Sequence, residues 1–319
     1  MKVLVTGAFG NIGKYTLEYL IGRGHEVSVF DIKTKQTHKA SRRFRRKVDI
    51  FWGDIRNRED VVPAVKGQEV VIHLAAVIPH LSFTGVNSED RPDFAESVNV
   101  GGTRNLISVM EEQAVKPALI QGSSLHVFGQ TQELEPPRRV SDPVRPVEHY
   151  ARHKVAIEKM VRGSSLRWSI FRFAAALPMR LIMDPGMFNV PLNNRIEYVH
   201  ARDVGLALAN ALETGEIWGK TLLIGGGKRC QFVYRDMMKK ILTTVGFGSD
   251  FPEEAFSEEE YSTDWLDTEE SERILRFQQR TLDDYLLELR GKMGGLRGLV
   301  VMFEPWVRRW LLGKSPYIK

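Results

Sequence analysis

The chain has 319 residues, a mass of 36.4 kDa and 43% hydrophobic residues, values ordinary for a globular protein with a full core and one or two domains. Its single cysteine, Cys230, excludes an internal disulfide and a Cys-rich metal site and points to a reducing, cytoplasmic compartment. A strand beginning at residue 2 leaves no signal peptide ahead of it, and no run of about eighteen apolar residues suggests a membrane span. The net charge of +5 belongs to the tail, where residues 290–319 carry seven Lys and Arg against the lone Glu304. The second basic cluster, "RRFRRK" at 42–47, reads as a solvated loop face, and no nucleic-acid partner is expected.

The first element is a buried strand over residues 2–6, which breaks into "GAFGNIG" and then becomes an amphipathic helix near 11–23. Gly7, Gly10 and Gly13 therefore lie at a strand-to-helix turn. Unpaired N–H groups and the positive end of the helix dipole there suit a phosphate that approaches bare backbone. A second strand, 26–31, ends at Asp31, eighteen residues beyond Gly13, where an acidic group meets the ribose hydroxyls of a dinucleotide. Further strands at 48–52, 69–74, 117–123 and 166–173 alternate with helices near 57–66, 93–113 and 147–163. This pattern predicts an α/β fold, a Rossmann-type doubly wound parallel sheet occupying residues 1–175. The Pro-rich stretch 133–148 reads as a loop over the ligand-binding edge of that sheet. A later strand near 220–226 is expected to return to the sheet, while helices near 232–245, 267–277 and 281–290 build a smaller substrate-binding lobe over 176–290.

Tyr150 and Lys154 stand four apart on one helical face in "HYARHKVAIEK". An ammonium at about 4 Å in an effective dielectric near 20 favours the phenolate by roughly 4 kcal/mol, which brings the phenol from its usual value near 10 down to about 7. Tyr150 is then a candidate to take a proton from a secondary alcohol while hydride leaves, with Ser124 at the end of the fifth strand bonding the same oxygen. The plainer alternative is a packed tyrosine beside a snorkelling lysine. His149 and His153 are also four apart but lack a third ligand, so no metal is expected. His73 in its buried strand reads as packed, and Asp203 as a helix N-terminal residue stabilised by the dipole.

These segments together resemble the extended short-chain dehydrogenase/reductase superfamily, the NAD-dependent epimerase/dehydratase family, over roughly residues 1–290. "TGAFGNIG" is similar to TGxxGxxG, "GDIRN" to the adenine-side segment with its aspartate at Asp54, and "IHLAA" to the strand beside the cofactor. "NVGGTRNL" matches the Asn99 helix, "SSLHVFG" the SSxxVYG segment with Phe128 in the tyrosine position, and "YARHK" the YxxxK pair. "YVHARDVGLAL" and "DTEESERILRFQQRTLDDYL" are similar to later family segments. The resemblance implies Ser124, Tyr150 and Lys154 as the catalytic set. It implies NAD as cofactor, held by Gly7, Gly10, Asn11, Ile12, Gly13, Asp31, Asp54, Ile55, Leu74, Ala75, Ala76, Asn99, Tyr150 and Lys154. NAD is expected over NADP because Asp31 repels a 2′-phosphate, an effect that Lys33 and Lys35 soften.

The implied activity is that of an oxidoreductase or epimerase working on a secondary alcohol or keto centre of a small-molecule, sugar-like or nucleotide-sugar-like substrate, in a cytoplasmic homodimer. The alternative is a non-catalytic NAD(P)-binding sensor or assembly subunit, which has no use for an activated phenol. Three departures from the nucleotide-sugar pattern stand out. Leu125 and His126 occupy the positions of the dehydratase Asp-Glu pair, so 4,6-dehydratase chemistry is not expected. Ala175 replaces an asparagine that holds the nucleotide diphosphate, and Ile196 stands where an arginine is usual, with Arg195 next door.

Beyond the resemblance, Leu296, Leu299, Val300, Phe303, Val307, Trp310 and Leu311 repeat at three- and four-residue spacing in a basic tail over 291–319. An amphipathic helix, kinked at Pro305, is expected there. It either docks on its own domain or a second subunit, or touches an anionic membrane surface.

Overall fold

The computed structural model describes residues 1–79, 85–180, 184–248 and 250–318. Nine strands run in chain order among them: β1 (Lys2–Thr6), β2 (Glu26–Asp31), β3 (Asp49–Trp52), β4 (Val70–His73), β5 (Ala118–Ser124), β6 (Trp168–Phe173), β7 (Arg195–Glu197), β8 (Thr221–Ile224) and β9 (Gln231–Val233). Seven of them form one parallel sheet in the order β3-β2-β1-β4-β5-β6-β8, while β7 and β9 pair antiparallel in a separate ribbon. The late strand β8 returns to the sheet beside β6. Strand order reverses between β1 and β4, and a doubly wound sheet opens its ligand crevice at such a reversal.

Both faces of the sheet are covered, which is why its strands read as continuous apolar runs. Val3, Val5 and Ile72 point toward Leu17 and Leu20 of α1 (Gly13–Gly22) and Val204 and Leu208 of α7 (Ala201–Asn210). Leu4 and Val71 point the other way, toward Val61 of α3 (Arg58–Val65), Leu106 of α5 (Gly102–Glu111) and Ile157 of α6 (His149–Gly163). Two helices precede these in places the periodicity left undivided: α2 (Lys35–Ser41), started by a Thr34–Thr37 capping box, and α4 (Pro92–Glu96). The single helix expected over 93–113 is α4 and α5 joined by a π-helical turn, 97–101, that carries Asn99. Within "RRFRRK" the arginines are exposed, while Phe44 is buried with its ring 6.4 Å from that of Phe9.

A further apolar cluster forms the C-terminal lobe. Met237, Met238 and Leu242 of α8 (Tyr234–Val245) meet Leu282, Leu286 and Leu289 of α10 (Leu282–Met293), with α9 (Glu269–Leu275) lying between them in sequence. The tail is two helices, α11 (Gly295–Met302) and α12 (Glu304–Leu312), divided at Phe303. Pro305 does not kink a continuous helix; it opens the second one, where a missing N–H costs nothing. Val300 and Leu311 are buried in the lobe's cluster, so this part of the tail docks on its own chain.

Asp203 stands in the first turn of α7, as expected, and its carboxylate has a second task. It accepts from the N–H groups of Gln279 and Arg280 at 3.0 and 2.7 Å and from the Arg280 guanidinium at 2.6 Å, fastening the chain before α10 to α7.

Candidate active site

The three glycines of the first turn answer to different neighbours. Gly7 has φ +64°, and a Cβ there would lie 2.7 Å from the Ala75 backbone just after β4; one on Gly13 would lie 2.6 Å from Ala8 and from the Gly7 carbonyl. Those two positions are bare because the chain itself passes close by. At Gly10 the nearest atom to such a Cβ is the Gly7 carbonyl at 3.1 Å, and this residue faces the central cavity. Among the described residues no backbone acceptor meets the N–H groups of Asn11, Ile12 or Gly13, and α1 has no side-chain cap. Asn11 donates to the Ala176 carbonyl at 3.0 Å while its buried Oδ1 has no partner, leaving an acceptor beside the turn. This is a cradle of donors at a helix N-terminus, which fits a dinucleotide pyrophosphate.

Asp31 closes the other side. It is buried, and its two oxygens accept from the N–H groups of Phe9 and Ile32 at 2.9 and 2.8 Å. Burial wins over those bonds and pushes its carboxyl up to about 6. Asp54, Ile55, Leu74, Ala75 and Ala76 line the same cavity, a space of about 560 Å³. Asp54 is paired with Arg56, whose hydrogen bonds hold its carboxyl below the usual range. Asn99 lies off the cavity wall: it accepts from the Val77 N–H at 2.7 Å and donates to the Val77 carbonyl at 2.9 Å, so it shapes the loop after β4 instead of facing the cavity. None of residues 133–148 is among the described residues along the cavity. Arg138 of that loop is buried, reaches Asp264 at 3.2 Å and bridges by its backbone to Leu266.

Ser124, Tyr150 and Lys154 converge on the cavity beside the glycine turn. Ser124 caps a short 3₁₀ turn over Leu125–Phe128, accepting from the His126 N–H at 3.2 Å. Tyr150 sits in the first turn of α6, and that helix start is held from outside: Glu89 accepts from the N–H groups of His149 and Tyr150, both at 3.0 Å. Lys154, one turn on, donates to the Gly122 carbonyl at 2.9 Å, and its ammonium lies 5.6 Å from the Tyr150 ring centroid. One turn further, Glu158 accepts from Ser123 at 2.7 Å and makes a two-bond contact with Arg172 at 2.9 and 2.7 Å.

The electrostatics correct the expectation that Lys154 pulls the phenol down to neutrality. Burial raises the Tyr150 phenol above its ordinary value, and the Ser124 hydroxyl offsets only part of that. Burial also lowers the Lys154 ammonium to about 8, against the pull of Glu158. The ammonium lies 5.6 Å from the Tyr150 ring centroid and is bonded to the Gly122 carbonyl, and both groups are almost wholly out of water. The resting phenol is therefore a proton donor.

Over residues 3–182 the sequence matches the NAD dependent epimerase/dehydratase family. The chain belongs to that family. It is 27% identical over 164 residues to the sterol-4-alpha-carboxylate 3-dehydrogenase, decarboxylating, of Homo sapiens and 33% identical over 164 residues to a 3-beta-hydroxysteroid dehydrogenase of Mycolicibacterium neoaurum. Each match takes in 51% of this chain but 40% and 43% of the relative, so the chain spans less than half the length of these curated relatives. The fold is shared with UDP-glucuronic acid 4-epimerase from Bacillus cereus, solved with UDP-glucuronic acid and NAD, at a TM-score of 0.76, 19% identity, 93% of this chain and 100% of that one.

Three features of this family member were not read from its sequence. Glu89 lies about sixty residues before the helix it caps, and neither spacing nor periodicity links the two. Glu158 continues the Tyr150, Lys154 stripe by four residues, so the helical spacing already contained it. His126, read only as a departure from a dehydratase pair, lines the cavity with its ring 6.1 Å from that of Tyr150 and its Nδ1 3.5 Å from Glu148.

Proposed function

We propose that the protein is an NAD-dependent oxidoreductase or epimerase that interconverts a secondary alcohol and a ketone by Tyr150 proton transfer coupled to hydride transfer. The observation that carries this is the meeting of Ser124, Tyr150 and Lys154 with the glycine turn and Asp31 around one cavity. NAD supplies the hydride acceptor or donor when bound. The N–H groups of Asn11, Ile12 and Gly13 hold its pyrophosphate, and Asp31 accepts from its ribose hydroxyls. Ser124 orients the substrate oxygen, Tyr150 donates its phenolic proton to that oxygen in reduction and recovers it in oxidation, and Lys154 holds a positive charge beside the phenolate that oxidation requires. Asn99 and Glu89 position the loop after β4 and the start of α6.

The same proposal places the protein in the cytoplasm, in keeping with a buried cysteine outside any disulfide, and takes it as a homodimer on family resemblance alone. It leaves 4,6-dehydratase activity out, since Leu125 is buried and has no proton to exchange. No helix among the described residues is long and apolar enough to cross a membrane. Contact of the tail with an anionic membrane surface is part of the proposal, supported by the outward-facing Trp306 and Trp310 on a helix that also carries Arg309. The test of the activity is absorbance of reduced nicotinamide when the protein is mixed with NAD and a panel of secondary alcohols. Turnover is expected for the wild type and lost in Tyr150→Phe; equal rates for the two would remove the phenol from the mechanism.

A further inference from the structure

Beyond the catalytic residues the cavity continues into the C-terminal lobe, and its wall changes character there. Helix α8 presents Met237, Met238, Ile241, Leu242 and Val245, an i, i+4, i+8 stripe with its flanking positions, and Leu289 of α10 and Leu311 of α12 complete that side. The polar groups at this end are few. Tyr234 and Tyr285 also line it, but their hydroxyls donate to the Met187 and Pro178 carbonyls at 2.9 and 3.1 Å, so their rings are what a ligand would meet.

Charge is balanced here as well. Among the described residues of the lobe that line the cavity, Arg180 is the only cation and Asp184 the only carboxylate, so the wall carries no net positive charge. Arg195, beside the position where the sequence suggested a nucleotide-holding arginine, is fully engaged elsewhere. It bonds Asp264 at 2.7 Å and the carbonyls of Thr131, Gln132 and Leu134 at 2.9, 3.1 and 2.9 Å, and it is not on the wall. Ile196 and Ala175, which are on the wall, offer no polar side chain.

We propose that the lobe's part of the cavity takes the apolar body of a hydrophobic secondary alcohol, polycyclic or long-chain, in place of a nucleoside diphosphate. A pyrophosphate carries two negative charges and would be buried there against a wall of zero net charge, which is strongly unfavourable. An apolar body gains from the same burial in proportion to the area it covers. The alcohol end then lies at Ser124 and Tyr150 and the body along the α8 stripe toward Leu311. This rests on the oxidoreductase reading above for which end of the ligand reacts, but the binding step does not require turnover.

Calorimetry on NAD-saturated protein with a hydroxysteroid, a long-chain secondary alcohol, UDP and UDP-glucose tests it directly. At least one of the two apolar alcohols is expected to bind ten times more tightly than either nucleotide, and the difference between them separates a ring system from a chain. Ile241→Glu, which puts a carboxylate on the stripe, is expected to weaken the apolar ligand at least tenfold while NAD affinity, which reports an intact fold, stays unchanged. Tighter binding of UDP-glucose, no binding of any of the four, or indifference of the apolar ligand to Ile241→Glu would each overturn the proposal. Tight apolar binding without reduction of NAD would instead count against the oxidoreductase reading and leave the binding site standing; reduction of NAD by UDP-glucose alone would do the reverse.

Discussion

The two ends of the central cavity are made of different material. Around Gly10 the wall is main chain, with N–H groups at the start of α1 that meet no backbone acceptor among the described residues, and glycines where the chain after β4 and the turn itself come closest. In the lobe the wall is side chain, contributed by one face of α8 and single leucines from α10 and α12. A main-chain wall fixes positions, because only the absence of a Cβ lets backbone or ligand come so near. A side-chain wall fixes volume and polarity, and many residues satisfy it. The first end should therefore fail on the smallest substitutions, while the second tolerates change in shape and fails on change in charge.

The largest expected effect lies where the two ends meet. Tyr150→Phe removes one oxygen from a residue whose backbone is anchored by Glu89, so the helix and the turn stay in place. Turnover should fall by about 100- to 10,000-fold, the range for loss of a positioned acid–base group. NAD affinity, followed by quenching of protein fluorescence, should stay within about twofold of the wild type, a change near 0.4 kcal/mol. A variant that turned over normally would sink the assigned proton transfer; one that lost NAD as well would show that the two ends are not separable.

Next in size is a contrast within the glycine turn. Gly13→Ala places a Cβ 2.6 Å from Ala8 backbone atoms that cannot move aside, and overpacking of this kind costs about 1–3 kcal/mol or more. Gly10→Ala meets only the Gly7 carbonyl at 3.1 Å. Its folding stability should change by no more than about 0.5 kcal/mol, as at a surface site, while NAD binding weakens because the methyl stands where the phosphate approaches. Thermal unfolding with and without NAD reads both effects. Equal destabilisation by the two substitutions would contradict the division of roles inside the turn.

The same contrast explains what could be read from the sequence. Gly7 and Gly13 were legible because a close approach of backbone leaves glycines at fixed spacing, while Gly10 and Asp31 were read as cofactor residues from their places in the turn and at the end of β2. The parallel sheet was legible because strands covered on both faces read as unbroken apolar runs. Met237 and Ile241 were not legible as a ligand wall, since an apolar helical stripe looks the same whether it faces a core or a cavity. Glu89 was invisible because a carboxylate that caps a distant helix leaves no mark near that helix. The direction of the Tyr150 shift was misjudged for a related reason: spacing gives the Tyr–Lys geometry but says nothing of burial, and burial is the larger influence.

A pair of pH limits separates the cofactor end from the catalytic centre. In its proposed role Asp31 accepts from the ribose as a carboxylate, and burial has raised its carboxyl to about 6, so NAD affinity should decline as pH falls through about 6. Asp31→Asn, with no proton to gain, should bind weakly and show no such decline. Lys154 acts as an ammonium in its proposed role, and burial has lowered it to about 8, so turnover in the reductive direction, where the phenol already carries its proton, should decline as pH rises through about 8 at saturating reduced NAD. Titrations of Kd and kcat over the same range check both signs, and a Kd flat across pH 6 would exclude the carboxylate role of Asp31.

Glu89→Gln should have a smaller effect. Both carboxylate oxygens accept from the first N–H groups of α6, and an amide keeps only one acceptor and no charge at the positive end of the helix dipole. A loss of about 1 kcal/mol in stability is expected, comparable to loss of an N-cap. Because Tyr150 rides on that first turn, kcat should drop several-fold with KM nearly unchanged. A variant that lost stability without any change in kcat would reduce Glu89 to a structural cap.

The smallest effect on the folded protein belongs to the tail, where the lobe's side-chain wall turns outward. Leu311 faces the cavity, but on the same helix Trp306 is 75% exposed and Trp310 50% exposed, with Arg309 between them, and Phe303 just before it is also half-exposed. Replacing both tryptophans by serine leaves the buried Leu311 and Val300 in place, so stability and turnover of a water-soluble alcohol should not change. Co-sedimentation with vesicles containing anionic lipid should nevertheless fall several-fold, because an interfacial helix binds through its exposed apolar area together with its basic charges. If wild-type protein stays in the supernatant with anionic vesicles, the membrane contact is wrong, and the exposed face then belongs to another protein surface. If binding persists after both substitutions but vanishes at high salt, the contact is made by Arg and Lys alone, and the outward face of the tail does not continue the apolar character of the cavity it closes.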